Sequence, residues 1–383
     1  LVREADRITP EIAARAAELT KGARSEREKV LALYDFVTRL RYVAIPLGVN
    51  SLRPHAASAT LANRYGDCKD KANLFNALLR SQGIAADLVL VPRFTQADDG
   101  VPGLGFNHAI SRLTLGGETV WADTTDDVSR FGLLPPGDPG RKVLVVGDSG
   151  PPAALTALPP PLPEAHRLAI AGQLKGAVDG TFAGAVTARA QGYADYALRN
   201  ASRQAAAQLS TRPILAEELR PTAGAFAMSA QTATPAAALD REVEWRGEGS
   251  WSGLAAALPG GGVLLRAPFW LPREWEAALH PRRSPLFLNQ GYPLALAEEI
   301  ELQLPPGARA GALPRPAAND AGPLRWSVAW TRRDAPSGLR YVARLDLTLR
   351  SGELDSGETR LFQQQLRALV ETLGSGGTYA LAP

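Results

Sequence analysis

Apolar positions recur at helical spacing over the first eighty residues and then at strand spacing. Thr9-Pro10-Glu11 reads as a cap followed by proline at a first helical position, which predicts a helix over about residues 10–21. Ser25-Glu26-Arg27-Glu28 is a capping box, and Val30, Leu33, Tyr34 and Val37 form the stripe of a second helix ending near Leu40. Arg41–Pro54, with Pro46, Gly48 and Pro54, reads as irregular. Asn63–Gly83 carries a third helix. Asp67 suits its N-cap, Leu74, Phe75, Leu78 and Leu79 its apolar face, and Gly83 its stop. The period then changes. Ala86–Val91 reads as a buried strand, residues 93–107 as a polar loop, and residues 108–115 and 119–123 as a hairpin turned by Gly116-Gly117. A short strand, Lys142–Val146, closes this region. Helices followed by antiparallel strands predict an α+β core.

Composition shifts at Ser149–Pro163, a proline-rich stretch almost without charge, expected to be a stiff linker. Beyond it strands dominate. Arg167–Ala177 and Thr181–Ala190 flank Val178-Asp179-Gly180, another hairpin signal, and Val243–Trp251 and Val263–Phe269 read as strands. Ile300, Leu302 and Leu304 alternate with polar residues, as do Ala343, Leu345, Leu347 and Leu349. Such half-buried antiparallel strands predict a mainly-β, sandwich-like domain. Tyr193–Leu209 and a closing segment, Gly357–Leu373, read as helices. The expected organisation is a core at 1–148, a linker at 149–163 and a β-rich domain at 164–383. Six of the seven tryptophans fall in that last part, where packing between sheets explains them better than a carbohydrate or peptide platform.

The only cysteine, Cys68, falls in the first turn of the third predicted helix. Backbone N–H groups left unpaired there, with the positive end of the helix dipole, favour an anion beside the sulfur. Lys69 and Lys71 add to that charge, whereas Asp67 and Asp70 oppose it, so sequence leaves the net effect unsigned. A lone cysteine is more often a small buried hydrophobe than a nucleophile. Two residues further on change that balance. His108 opens one hairpin strand, in GFNHAI, and Asp123 ends the other, in ETVWADTT. The hairpin places the two side by side, ready to face a helix N-terminus packed on the sheet. Asp126 and Asp127 rival Asp123, which is preferred because it directly follows the apolar strand.

A cysteine at a helix start, then histidine and aspartate on neighbouring strands, resembles the transglutaminase-like (papain-like) superfamily over about residues 25–146. YGDCKDKANLFNALLRSQGIAADLVLV resembles its nucleophile segment, FNHAI its histidine strand and VWADTTDD its aspartate strand. RYVAIPLGVNSLRP, and RRSPLFL at Arg282–Leu288, resemble a bacterial subgroup whose core carries β-rich domains on both sides. The resemblance implies a Cys68–His108–Asp123 triad acting without a cofactor. It also implies a protein or peptide amide as substrate, with an amine or water as acceptor. It further implies that an N-terminal β domain is missing here and that the protein belongs to the bacterial periplasm or cell envelope. The chain opens at Leu1 without a signal peptide, as expected of a processed chain or an excised fragment. Animal transglutaminases place a tryptophan before the cysteine as an oxyanion donor, and none precedes Cys68. Tyr42, Asn50 and Arg53 lie in the corresponding stretch as candidates. Asn107, next to His108, is a candidate for orienting the ring, binding substrate or satisfying a strand end.

Charge and composition exclude other classes. The net charge is only +3 and no basic run exists, which argues against nucleic-acid binding. No run of about eighteen apolar residues exists to span a membrane. The four histidines and one cysteine are scattered without metal-ligand spacing, so no metal is expected. One cysteine forbids an internal disulfide. Three readings remain: a cysteine acyltransferase or amidohydrolase, a catalytically silent or gated binding protein whose β domain engages a partner, and a dedicated biosynthetic acyltransferase that condenses carrier-bound or small amines, which the sequence neither supports nor excludes.

Overall fold

The computed structural model describes residues 4–44, 53–97, 100, 103, 105–146, 155–208, 214–273, 275–280, 286–287, 295–335, 338–350 and 353–381. The chain divides into two units, Leu1–Pro160 and Pro161–Pro383.

In the first unit, capping side chains start the helices where sequence expects them. Thr9 Oγ1 accepts from the Ile12 N–H at the start of α1 (Pro10–Thr20), and Ser25 Oγ accepts from the Glu28 N–H at the start of α2 (Glu26–Thr38). Two residues of β1 (Arg41–Tyr42) pair in parallel with β2 (Tyr65–Gly66). Between them a short helix, α3 (Ala57–Asn63), ends on Arg64 in the left-handed conformation. Helix α4 (Cys68–Ser81) then starts in a reciprocal capping box, with Asp67 and Asp70 each accepting from the other's N–H. This helix is no surface amphipath, because every residue from Lys69 to Leu79 is buried. Leu74, Phe75, Leu78 and Leu79 meet Ile12 and Ala16 of α1, and Val30, Leu33 and Val37 of α2, in one apolar cluster.

Against α4 lies an antiparallel sheet in the order β5-β4-β3-β6-β7, built from β3 (Ala86–Val91), β4 (His108–Leu115), β5 (Glu118–Ala122), β6 (Lys142–Val146) and β7 (Leu155–Ala157). Gly116 and Gly117 turn the β4–β5 hairpin at φ +61° and +87°, values that side chains resist. Register sets Val91 opposite His108 and Ser111 opposite Ala122, so His108 and Asp123 emerge at one end of the sheet. The stretch expected as a linker is in part sheet: β7 pairs with β6, and the Leu158 N–H bonds the Arg141 carbonyl at 2.8 Å. Residues 149–154 of that stretch lie outside the described residues.

The second unit is β-rich. Its largest sheet has eight strands, ordered Ala225–Ala233, Val243–Ser252, Phe182–Ala190, Arg167–Gly176, Ala295–Gln303, Gly338–Leu349, Leu324–Ala335 and Ala317–Asn319. Its pairing is not wholly antiparallel as expected, since Ala295–Gln303 lies parallel to Arg167–Gly176. Ile300, Leu302, Leu345, Leu347 and Leu349 face inward, in line with their alternation. Tyr341 bonds the Thr378 carbonyl at 2.7 Å, which ties this sheet to the four-stranded sheet holding Gly376–Ala380. The closing helix, Ser356–Leu373, starts in a capping box of Asp355 and Glu358. Trp245, Trp251, Trp270 and Trp275 are buried, with the rings of Trp251 and Trp270 edge-to-face at 5.3 Å, a packing role. Of RRSPLFL, Leu286 and Phe287 are described and pair with Glu353–Leu354; the rest lies outside the described residues. No described helix is long and apolar enough to cross a membrane.

Candidate active site

The charged run that opens α4 is resolved side chain by side chain. Lys69 bonds the Asp67 carboxylate. Asp70 accepts from the His55 backbone N–H at 2.8 Å and meets the His55 ring at 3.0 Å, binding the segment that enters α3. Lys71 donates to the Thr38 and Leu40 carbonyls at 3.0 Å each, the open C-terminal end of α2. Burial pushes the Lys71 ammonium down to about 8, against the pull of Asp123, Asp127 and Asp126. Gly66 leaves the room that the capping box needs, since a side chain there would meet the Asp70 Cβ at 2.7 Å. These bonds fix the first turn of α4 and with it the Cys68 sulfur.

Cys68 is half-buried against Ala72, Leu88 and Ala109. Its thiol interacts with the His108 ring and favours the ring's charged form. His108 Nε2 meets Asp123 Oδ2 at 2.7 Å, which leaves Nδ1 as the ring nitrogen for the thiol. Asp123 is fully buried, and its other oxygen accepts from the Thr125 N–H at 2.8 Å and the Thr125 hydroxyl at 2.6 Å. Burial raises the Asp123 carboxyl, but His108, Arg93 and Thr125 together hold it well below the usual carboxylate range. Burial likewise disfavours charge on His108; the Asp123 charge and hydrogen bond, with the Cys68 interaction, overcome it and push the imidazole up to about 10. Asp126 turns instead to the Val128 N–H at 3.0 Å. The Tyr34 hydroxyl supports the turn from beneath, donating to the Asp123 and Ser129 carbonyls at 2.9 and 3.1 Å.

The model of the transglutaminase-like superfamily matches residues 13–123. Those residues form a transglutaminase-like domain. At superfamily level the match supports a cysteine-dependent enzyme. A structure from Parabacteroides distasonis, described as that of a "putative protease", aligns with 99% of this chain and 57% of its own at a TM-score of 0.56 and 12% identity. At that identity the likeness shows the fold alone, and this chain spans 57% of that protein's length. A second, from Cytophaga hutchinsonii and described as a "putative cysteine protease", aligns with 30% of this chain and 37% of its own at a TM-score of 0.25 and 24% identity, too little to argue from. No curated protein matches.

The remaining candidates of the transglutaminase-like domain separate cleanly. Tyr42, at the end of β1, interacts with the backbone and the side chain of Cys68. Burial, with Cys68 and Asp67 beside it, pushes its phenol up to about 12. Arg53 pairs with Glu4 at 3.3 Å, both exposed. Asn50 lies outside the described residues. Asn107 grips the backbone of Arg93 on both sides, its Oδ1 accepting from the Arg93 N–H at 2.8 Å and its Nδ2 donating to the Arg93 carbonyl at 3.1 Å. Its amide is thereby spent on the start of the 93–107 loop, away from ring or substrate.

Two members of the site escape sequence reasoning. Arg93 bonds Asp123 at 2.7 Å and Asp138 at 2.6 Å through the same nitrogen, Nη2. Asp138 is fully buried. The only sequence signal for Arg93 is its place, just past the strand that pairs with the His108 strand. Asp138 sits in a loop with no signal. His108, Asp123 and Asp138 bring ligand atoms within 4.8 Å of one another, a spacing a cation would fit. The Arg93 guanidinium is bonded to both carboxylates and supplies positive charge there.

Proposed function

We propose that this protein performs cysteine-dependent acyl transfer or hydrolysis on protein or peptide amides. The observation that carries the reading is the 2.7 Å bond of His108 to a fully buried Asp123, with a half-buried Cys68 interacting with the same imidazole. Deprotonated by His108, the Cys68 sulfur attacks the amide carbonyl. The tetrahedral adduct collapses by breaking the C–N bond, and the imidazolium gives its proton to the departing amine, leaving a thioester. His108 then takes a proton from the second nucleophile, and Asp123 holds the ring in the tautomer both steps need. Water as that nucleophile gives deamidation or proteolysis, and an amine gives transamidation. The Cys68 N–H, at a helix start, is the first oxyanion donor and the Tyr42 hydroxyl the second. Substrate selection in the bacterial envelope, and any partner of the β-rich unit, belong to the same proposal.

One observation favours a second, gated reading. The Tyr42 phenol interacts with the Cys68 backbone and side chain, so an incoming carbonyl must compete with it for the sulfur's surroundings.

Alkylation of Cys68 by iodoacetamide, followed against pH, tests the pair. The chain has one cysteine, so the readout is unambiguous. The expected result is fast alkylation well below the free-thiol range of about 8.5, slowed at least about tenfold at pH 6 by His108→Ala. A rate that follows an ordinary thiol curve and ignores His108 overturns the proposal. Glutamine peptides, with and without a primary amine, then separate ammonia release from crosslinking.

A further inference from the structure

Arg93 and Asp138 stand behind the His108–Asp123 pair, and triad chemistry as described gives them no task. We propose that they form a positioning pair, which fixes the Asp123 carboxylate for His108 and balances the charge around the imidazolium. The inference rests on the triad reading above.

The geometry is built rather than incidental. Asp123 Oδ2 accepts from His108 Nε2 and Arg93 Nη2 at 2.7 Å each, so imidazole and guanidinium share one oxygen. Asp138 takes the other side of the guanidinium in two bonds, 2.7 Å to Nε and 2.6 Å to Nη2. Such paired bonds hold a guanidinium in one plane, which a lysine cannot reproduce. Both carboxylates are fully buried. The backbone of Arg93 is clamped by Asn107 as described. The next residue, Phe94, takes φ +62°, rare for a side chain of this size. The Phe94 N–H bonds the Gly137 carbonyl at 3.4 Å, and Gly137, at φ +100°, leaves the space the ring fills: a Cβ there would stand 2.5 Å from Phe94 Cε1. The loop bearing Asp138 and the turn bearing Arg93 are thus locked together.

Charge fixes the sign of the effect. With His108 protonated, Asp138, Arg93, Asp123 and His108 sum to zero. Cys68 faces the ring from α4, and Lys71, also on α4, interacts with Asp123, Asp126 and Asp127. Removing Asp138 alone leaves Arg93 to compete undiluted for Asp123, so the imidazolium gives up its proton more readily. Removing Arg93 alone leaves two buried carboxylates side by side, a costly arrangement. Removing both restores the balance of charge but leaves Asp123 Oδ2 held by His108 alone.

The test follows His108 by NMR across pH, together with alkylation of Cys68 by iodoacetate, an anion the imidazolium attracts. Asp138→Asn should lower the pH at which His108 deprotonates, and the alkaline limb of alkylation with it, by about one unit or more. Arg93→Lys should keep the limb near its wild-type position with a lower plateau rate. The double variant Arg93→Met/Asp138→Asn should return the limb to near its wild-type position and keep the low plateau. A folded Asp138→Asn protein whose limb stays in place or moves up overturns the inference. If that variant does not fold, the double variant decides, and a wild-type plateau in it overturns the inference. A profile that needs His108 and ignores Asp138 sinks this inference alone; one that ignores His108 sinks the triad reading itself.

Discussion

At the scale of single residues the site depends on which atoms are left free. Asp123 commits both oxygens, His108 commits Nε2, and the ring nitrogen that remains faces the only thiol in the chain. Tyr42 is the residue whose role a substitution would separate best. If its hydroxyl serves the oxyanion, Tyr42→Phe should lower turnover of an activated acyl ester by about 100-fold, the usual scale for losing one donor. Alkylation forms no oxyanion and should fall far less. Equal losses in both assays would place the hydroxyl's effect on the sulfur instead. Cys68, His108 and Asp123 were legible in sequence because strand and helix starts mark them. Arg93 and Asp138 were not, because a loop residue gains a partner only through the tertiary path of its loop.

At the scale of elements, α4 shows how a polar sequence becomes a core helix. Its first turn holds Lys69, Asp70 and Lys71, all buried and each bonded to a neighbouring element or cap. Periodicity finds the helix from its leucines but carries no sign that these charges are buried. The start of the helix rests on Asp67, whose carboxylate accepts from the Asp70 N–H at 3.3 Å. Asp67→Ala should cost about 1 kcal/mol of stability, whereas Asp67→Asn, which keeps an acceptor, should cost less. Denaturant unfolding of the two variants checks this; equal losses would assign the effect to the Lys69 pair rather than to the cap. Strand Ala225–Ala233 shows the opposite failure. It pairs along its length with Val243–Ser252 yet buries none of its side chains fully, so no alternation announced it.

At the scale of the whole molecule, two buried groups in the second unit tie stability to pH in opposite senses. His166 stacks on Tyr193 at 4.1 Å and accepts from the Tyr193 N–H, and burial pushes it down from 6.5 to about 4. Below its ordinary value the unfolded imidazole binds a proton that the folded one refuses. That stability is therefore present above about pH 6.5 and lost toward pH 4, at most about 3 kcal/mol. Glu298 is buried with the Trp270 N–H at 3.0 and 3.1 Å from its two oxygens, and burial raises its carboxyl well above 4.5. Its contribution is full below 4.5 and lost as pH rises. Glu298→Gln keeps an acceptor for Trp270 and removes the ionisation, so the melting temperature at neutral pH should rise and its decline toward alkaline pH should flatten. Tryptophan fluorescence follows it, since six of the seven tryptophans lie in this unit. An unchanged melting profile would mean that Glu298 ionises in the fold at no cost.

What the sequence determined by itself is local. Helix caps, the β4–β5 turn and the alternation of apolar residues depend on neighbours a few positions apart, and they place Cys68 in a first turn and His108 and Asp123 on a hairpin. Only the tertiary structure decided what each polar group meets. The parallel contact of Ala295–Gln303 with Arg167–Gly176 joins segments more than a hundred residues apart. The Asp138–Arg93–Asp123 bridge joins two loops and a strand end. The hydrophobic pattern says which residues leave water, but the partner of a buried charge is set by chain path and register, which no short window of sequence contains.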